Sequence, residues 1–157
     1  MATIGEIYVV TSSGTGHLVP CIQLCNHLSS TNYTPTLVAP STVSADHLPA
    51  VIHITAHAEE TPTSGTELEA HLFVRFNGPG SAHPACAIFD FQMGWTKHIF
   101  WKFKIPVISF FTFGACPAAM EWGAWMSGAG SGRVNPGEVH LIPGLPAEMQ
   151  LTYHDFV

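Results

Sequence analysis

The chain has 157 residues, a length that suits one domain. Its formal net charge is -6, with five lysines and arginines in all and no basic patch, which excludes a nucleic-acid-binding protein. Hydrophobic residues make up 46% of the chain and charged residues only 10%, so part of the apolar surface is expected to face a second domain or a partner.

Apolar periodicity predicts strands that alternate with helices. Strands are predicted at 6–11, 34–39, 51–55, 86–89 and 105–111, and helices at 18–28, 67–76, 94–103 and 116–126. Loops or turns are predicted at 58–65, 77–84, 127–137 and 142–146. Pro20 falls in the first turn of the first predicted helix, where its missing N–H costs little. The alternation implies a Rossmann-like α/β fold, with a parallel sheet and helices on both faces.

Residues 105–126 are long and apolar enough to raise the question of a membrane span. The prolines, glycines and Glu121 within them favour a buried strand, a turn and a helix instead. The first six residues show no signal-peptide pattern. We therefore expect no membrane span and a cytoplasmic location.

The metal-binding residue types show no ligand spacing. The four cysteines form no CxxC pair and are expected to be buried free thiols in a reducing compartment, with a metal pair or a disulfide as the alternative. The ten histidines are scattered along the chain, without cysteine or carboxylate partners at ligand spacing. No metal site is predicted.

The segment Gly14-Thr15-Gly16-His17 follows the first predicted strand. It places a histidine on a glycine-bearing turn at the carboxyl end of that strand, where open α/β sheets bind ligands. A dinucleotide loop is the alternative, but Val19 stands where GxGxxG has its third glycine, and no acidic residue ends the second strand. The pattern favours glycines that let the backbone pass close to a ligand.

Asp90 ends the fourth predicted strand and is the expected partner of His17. In the sheet order 3-2-1-4-5, strands one and four are neighbours, about 4.8 Å apart, at the point where a crevice opens. The carboxylate would accept a hydrogen bond from one imidazole nitrogen and orient the ring, which leaves the other nitrogen as a general base. The alternative is that both residues only cap helices.

Further candidates follow the fourth and fifth strands, at the rim of the same crevice. Those expected to bind an acceptor are Gln92, Met93, Trp95, Phe111 and Phe113. An aromatic lining suits a planar, apolar small molecule, although each of these side chains could equally pack in the core. The Thr112 hydroxyl is suited to binding a polar ligand group.

Four segments together resemble one protein family. They are GTGHLVPCIQLCNHL, AIFDFQMGWTKHIFWKFKIPVISFFTF, GACPAAMEWGAWM and HLIPGLP, and they span nearly the whole chain. The chain resembles the amino-terminal part of a plant family 1 UDP-dependent glycosyltransferase. The resemblance implies a GT-B architecture, in which an amino-terminal Rossmann-like domain binds the acceptor and a carboxyl-terminal one binds the UDP-sugar.

The resemblance also implies roles for individual residues. His17 matches the base that deprotonates an acceptor hydroxyl, and Asp90 matches its acidic partner. Thr112 matches a contact with the donor sugar, while Thr15 and Gly16 match the loop near the donor phosphates. The implied reaction is an inverting transfer from a UDP-sugar, such as UDP-glucose, without a metal or another cofactor.

Two departures from the family pattern bear on function. Residues 1–157 match a single truncated acceptor-binding domain, with no counterpart of the carboxyl-terminal UDP-sugar domain. The stretch between His17 and Asp90 is also shorter than usual by roughly two dozen residues.

We therefore expect the acceptor half of a glycosyltransferase of plant secondary metabolism that acts on small lipophilic, phenolic or terpenoid acceptors. It would be inactive alone and need a second domain or a full-length partner. The alternatives are a non-catalytic partner subunit that modulates a full-length glycosyltransferase, a homo-oligomer, and an acceptor-binding module without chemistry.

Overall fold

The computed structural model describes residues 4–43, 50–54, 62–78, 82–127, 139–140, 146 and 151–152. The chain divides into two compact units, Met1–Thr112 and Phe113–Val157. The elements of the first unit are β1 (Gly5–Val10), α1 (Thr15–Ser30), β2 (Tyr33–Pro40), β3 (Val51–Ile54), α2 (Pro62–Phe76), β4 (Cys86–Asp90), a 3₁₀ helix (Phe91–Thr96), α3 (Lys97–Lys102) and β5 (Val107–Phe110). Those described in the second unit are α4 (Ala115–Ser127), β6 (Val139–His140) and β7 (Leu151–Thr152).

The first unit is built on a five-stranded parallel sheet with the order β3-β2-β1-β4-β5. The predicted α/β class and strand order are both confirmed. In the register, Val10 pairs with Phe89 of β4, and Asp90 pairs with Phe110 of β5. The carboxyl ends of β1, β4 and β5 therefore lie side by side at one edge of the sheet. In the second unit, β6 and β7 form a short antiparallel pair.

Apolar side chains pack on both faces of the sheet. Alternate residues of β1 face opposite sides, as the two-residue period of a strand requires. Tyr8 and Val10 pack in a cluster with α2 and α3, whereas Ile7 and Val9 pack in a cluster with α1. This two-sided burial explains the continuous apolar runs that predicted the central strands.

Helix α1 begins three residues earlier than the sequence pattern indicates. Gly14 is its N-cap, and the carbonyl oxygen of Gly14 accepts hydrogen bonds from the backbone N–H of His17, at 2.9 Å, and of Leu18, at 2.8 Å. The prediction that His17 lies on a turn is therefore wrong, since it lies in the first turn of α1. Pro20 lies inside the helix and not in its first turn, so it donates no hydrogen bond to the carbonyl of Gly16.

The predicted helix at 94–103 is two shorter helices in the structure. The 3₁₀ helix starts directly after β4, and α3 continues from it. Met93 has non-helical backbone angles, φ -94° and ψ 19°, which marks a kink within the 3₁₀ segment. The early start is explained by the Asp90 side chain, which accepts the backbone N–H of Gln92 as an N-cap.

The apolar stretch at 105–126 contains β5 and most of α4, as the interpretation as a strand followed by a helix predicted. Among the helices that the structure describes, none has the length and apolar character needed to cross a membrane. β5 is less buried than expected, with Ile108 52% exposed. The reason is that β5 is an edge strand, which pairs with β4 alone.

All four cysteines are free thiols, but only two of them are buried. Cys21 and Cys25 face the sheet from α1, as predicted. Cys86 is half-buried and Cys116 is exposed, which corrects the expectation that all four are buried. Within the described ranges, no three histidine, cysteine, aspartate or glutamate side chains are arranged to hold a metal ion.

Four predicted loops or turns fall partly outside the described residues. The residues outside the description are 58–61, 79–81, 128–137 and 142–145. Residues 62–65, predicted as loop, are helical, because α2 begins at Pro62 and not at Glu67.

Truncation of Leu72 tests the cluster between α2 and the sheet. Leu72 is fully buried, so Leu72→Ala leaves a cavity and should lower the free energy of unfolding by about 2–5 kcal/mol. Val74 lies on the same helix and is 77% exposed, so Val74→Ala should change it by less than about 0.5 kcal/mol. Urea unfolding of both variants measures the difference, and equal effects would contradict the packing described.

The protein should lose stability at alkaline pH, because two thiols and a tyrosine hydroxyl are buried in their neutral form. Burial raises the pKa of Cys21 to about 11, that of Cys25 to about 12, and, together with Glu6, that of Tyr8 to about 12. The unfolded chain ionises its thiols near their ordinary pKa of 9.0, whereas the folded chain keeps them neutral. Their contribution to stability is thus complete below pH 9 and is lost as the pH rises through about 11 and 12.

Urea unfolding at a series of pH values from 8 upwards should therefore show a falling free energy of unfolding. Cys25→Ala should show a shallower decline relative to its own value at pH 8, because one ionising group is gone. A parent protein whose stability stays level as the pH rises through 11 would contradict this account.

Candidate active site

His17 and Asp90 meet at the carboxyl edge of the sheet. The Nδ1 atom of His17 lies 2.6 Å from Oδ2 of Asp90. The Asp90 side chain is 0% exposed, and that of His17 is 21% exposed. A buried carboxylate thus contacts a histidine that solvent or a ligand can still reach. Among the described residues, the other ring nitrogen, Nε2, has no hydrogen-bond or ion-pair partner.

The two oxygens of Asp90 have different partners. Oδ1 accepts a hydrogen bond from the backbone N–H of Gln92 at 3.1 Å. Oδ2 has the close contact with His17, but this contact does not have the geometry of a hydrogen bond. Asp90 therefore starts the 3₁₀ helix and contacts His17 with one side chain. The helix-capping alternative is true for Asp90 but wrong for His17, which lies inside the first turn of α1, where Gly14 is the N-cap.

Gly14 leaves the space that the His17 ring occupies. A Cβ atom on Gly14 would lie 3.1 Å from Cδ2 of His17, closer than most carbon contacts in proteins. A Cβ atom on Gly16 would meet nothing within 4 Å. Gly14 therefore makes room for the catalytic candidate itself, while the space beside Gly16 is open.

Aromatic rings lie beside the histidine. The Phe91 ring centroid is 5.7 Å from that of His17, and Phe91 stacks on Phe111 at 5.4 Å with an interplanar angle of 9°. Phe91 follows Asp90 in the chain, and Phe111 follows β5. The aromatic side chains thus form a half-buried wall next to the base candidate.

Two further polar residues belong to the same group of side chains. The Thr112 hydroxyl oxygen is 3.3 Å from Nδ1 of His17. The exposed Gln92 accepts a hydrogen bond at Oε1 from the hydroxyl of Ser12, also at 3.3 Å. Ser12 follows β1, so this bond joins the ends of β1 and β4.

The remaining predicted residues lie in different environments. Thr15 and Gly16 are exposed in the first turn of α1. Met93 is fully buried in the core with α2 and α3, so a ligand could reach its side chain only if the core opened. Trp95 packs against the same core, and its indole N–H is buried without a hydrogen-bond partner. Phe113 is half-buried in the second unit.

Sequence analysis missed three residues of the site: Ser12, Gly14 as the neighbour of the ring, and Phe91. The position of Phe91 directly after Asp90 was the available signal, since that place is at the same sheet edge. Nothing in the sequence indicates that Ser12 contacts Gln92, because that hydrogen bond joins segments 80 residues apart.

The arrangement is suited to removing a proton from a bound hydroxyl group. Nδ1 is engaged by Asp90 and Thr112, which leaves the lone pair of Nε2 to accept a proton.

No protein-family model and no curated protein sequence matches the chain. Solved structures match its fold. UGT2 from Phytolacca americana, complexed with UDP-2fluoro-glucose and pterostilbene, superposes with a TM-score of 0.74 over 100% of this chain at 18% identity. A UDP-glucosyltransferase from Polygonum tinctorium gives 0.69 over 92% at 14% identity, and a transferase from Siraitia grosvenorii in complex with UDP gives 0.64 over 88% at 15% identity.

These matches establish the fold. The chain has the Rossmann-like fold of the amino-terminal part of GT-B glycosyltransferases. It spans 41%, 38% and 32% of the lengths of the three structures, respectively.

Alanine substitutions at the two glycines should have opposite effects on stability. Gly16→Ala adds a helix-favouring residue into open space and should raise the free energy of unfolding by about 0.4–1 kcal/mol. Gly14→Ala should lower it, because alanine is a poorer N-cap than glycine and its Cβ presses on the His17 ring.

A double-mutant cycle separates the two causes at Gly14. In a His17→Ala background the contact is gone, so Gly14→Ala should cost less than it does in the parent. Urea unfolding of the four proteins measures the coupling. A cost that is identical in both backgrounds would contradict a close contact between Gly14 and the ring.

Proposed function

We propose that this chain forms the acceptor-binding half of a UDP-sugar-dependent glycosyltransferase, with His17 as the general base. The observation that carries the proposal is the 2.6 Å contact between His17 Nδ1 and the buried Asp90 carboxylate, at the edge of a GT-B-type sheet. The fold likeness supports the class of protein, and the site geometry supports the role of the residues.

In the proposed reaction, Nε2 of His17 removes the proton of an acceptor hydroxyl group. The acceptor oxygen then forms a bond to the anomeric carbon of the sugar, on the face opposite to UDP. The bond between that carbon and the β-phosphate oxygen breaks, and UDP leaves with the electron pair. The proton stays on His17, whose positive charge the Asp90 carboxylate balances, until solvent takes it up.

The acceptors we propose are small and lipophilic, with phenolic or terpenoid hydroxyl groups. The stacked Phe91 and Phe111 rings beside His17 support an apolar, planar ligand. The structure of UGT2 from Phytolacca americana contains pterostilbene, and the Polygonum tinctorium enzyme was solved with 3,4-dichloroaniline. We also propose that Gln92, Trp95 and Phe113 contact the acceptor.

Donor binding is proposed to need a second domain or a partner chain. The structures solved with UDP or UDP-2fluoro-glucose are more than twice as long as this chain. Thr15, Gly16 and Thr112 are the proposed donor-side contacts, and they would supply only part of a nucleotide-sugar site. Because hydrogen bonds to charged groups are worth about 1.5–3 kcal/mol each, the chain alone should bind a UDP-sugar weakly.

The free state of all four cysteines supports a reducing compartment, and the proposal places the protein in the cytoplasm.

A fusion of this chain to the carboxyl-terminal domain of Phytolacca americana UGT2 tests the proposal. The fusion should transfer glucose from UDP-glucose to pterostilbene, and the unfused chain should not. His17→Gln in the fusion should lower kcat by about 10²–10⁴-fold, the usual contribution of a general base. His98→Gln is the matched control, since His98 is exposed on α3, and it should leave kcat unchanged.

A fusion that keeps its turnover after His17→Gln would contradict the assignment of the base. It would favour the second candidate, a non-catalytic subunit that binds a full-length glycosyltransferase. The observation behind this candidate is the exposure of large apolar side chains, namely Phe73, Val74, Trp101 and Ile108. Co-elution of the chain with full-length UGT2, with altered turnover by UGT2, would support it.

A further inference from the structure

Two polar groups contact the same nitrogen of His17. Nδ1 lies 2.6 Å from Oδ2 of Asp90 and 3.3 Å from the hydroxyl oxygen of Thr112. Asp90 comes from the end of β4, and Thr112 lies two residues beyond the end of β5. The two groups approach the ring from adjacent strands, since Asp90 pairs with Phe110 in the sheet register.

A neutral histidine has at most one proton on Nδ1, so the two groups compete for it. The carboxylate can only accept a hydrogen bond, whereas a hydroxyl can accept or donate one. The distance to Asp90 is short, yet Oδ2 is buried and its contact with Nδ1 does not have the geometry of a hydrogen bond. The ring is therefore held at an orientation that the carboxylate alone would not select.

We propose that Thr112 is a positioning residue for His17, whose hydroxyl shares the Nδ1 proton and turns the ring away from full alignment with Asp90. Gly14 lies near the ring as well, since a Cβ atom on it would lie 3.1 Å from Cδ2 of His17. Phe91 packs 5.7 Å from the ring, between centroids, and confines it further.

The orientation of the ring has a consequence for the base, and this consequence rests on the proposed function. Nδ1 and Nε2 belong to one rigid ring, so a rotation that aligns Nδ1 with Asp90 also redirects Nε2 toward or away from an acceptor hydroxyl. A polar ligand group that binds the Thr112 hydroxyl would take it away from Nδ1, and the ring could then align with Asp90. Occupancy of the Thr112 side of the site would thereby set the direction of the base.

The proposal is tested by ¹⁵N spectroscopy of the histidine ring on the 157-residue chain itself. Two-bond ¹H–¹⁵N correlation spectra of ¹⁵N-histidine-labelled protein resolve Nδ1 and Nε2, and the His17 signals are those missing from His17→Gln. In Thr112→Val the Nδ1 resonance should move downfield, because the proton is then held by the carboxylate alone in a charge-assisted hydrogen bond. Thr112→Ser should restore the parent position, because it keeps the hydroxyl group.

Thr31→Val is the matched control. It removes a threonine hydroxyl that bonds to backbone carbonyls at the far end of α1, so the His17 signals should not move. Thr112→Ala repeats the test if Thr112→Val fails to fold by circular dichroism, and it should give the same downfield shift. Coincident His17 signals in the parent, Thr112→Ser and the variant without the hydroxyl would overturn the proposal.

These spectra need no sugar, acceptor or second domain, so their outcome is independent of the glycosyl-transfer assay. If loss of the Thr112 hydroxyl shifts the Nδ1 resonance, but turnover by the fusion does not depend on His17, the positioning contact is kept and the catalytic role is rejected. If the His17 signals do not move, but turnover by the fusion depends on His17, the catalytic role is kept and the positioning role of Thr112 is rejected.

Discussion

The site depends on one buried carboxylate, that of Asp90. A charge without exposure to water needs partners for its oxygens, and Asp90 finds them on two different segments. Oδ1 binds the backbone of Gln92 and starts the 3₁₀ helix, whereas Oδ2 contacts the ring of His17 at the start of α1. The Asp90 side chain therefore contacts the first turns of two helices. A side chain that replaced it would have to make both the hydrogen bond to Gln92 and the contact with His17.

Sheet topology makes this contact possible. β1 is central and has β2 on one side and β4 on the other, so the segment after β1 turns away from the segment after β4. Open α/β sheets bind ligands at such a point, and here His17, Asp90 and Thr112 meet there. The apolar clusters on both faces fix the strands that supply these side chains. The same architecture recurs in plant transferases that share less than a fifth of their residues with this chain.

Much of the fold was predictable from the sequence because its signals are local. Continuous apolar runs located the central strands, and their alternation with helical patterns gave the parallel order. The errors have physical causes of their own. Helix α1 starts early because its first backbone hydrogen bonds run to the carbonyl oxygen of Gly14, before the apolar pattern begins. β5 is partly exposed because it is an edge strand, and Cys116 is exposed although its neighbours in sequence are apolar.

The sequence by itself determined the α/β class, the strand order and the adjacency of His17 and Asp90, since these follow from periodicity and from the rules of parallel sheets. Only the tertiary structure decided which atoms meet. It placed Asp90 and Thr112 on the same ring nitrogen, stacked Phe91 on Phe111, buried Met93 in the core and brought the ring to where a side chain at position 14 would crowd it. Such contacts depend on side-chain directions at the ends of separate strands, which long-range packing sets and no local pattern encodes.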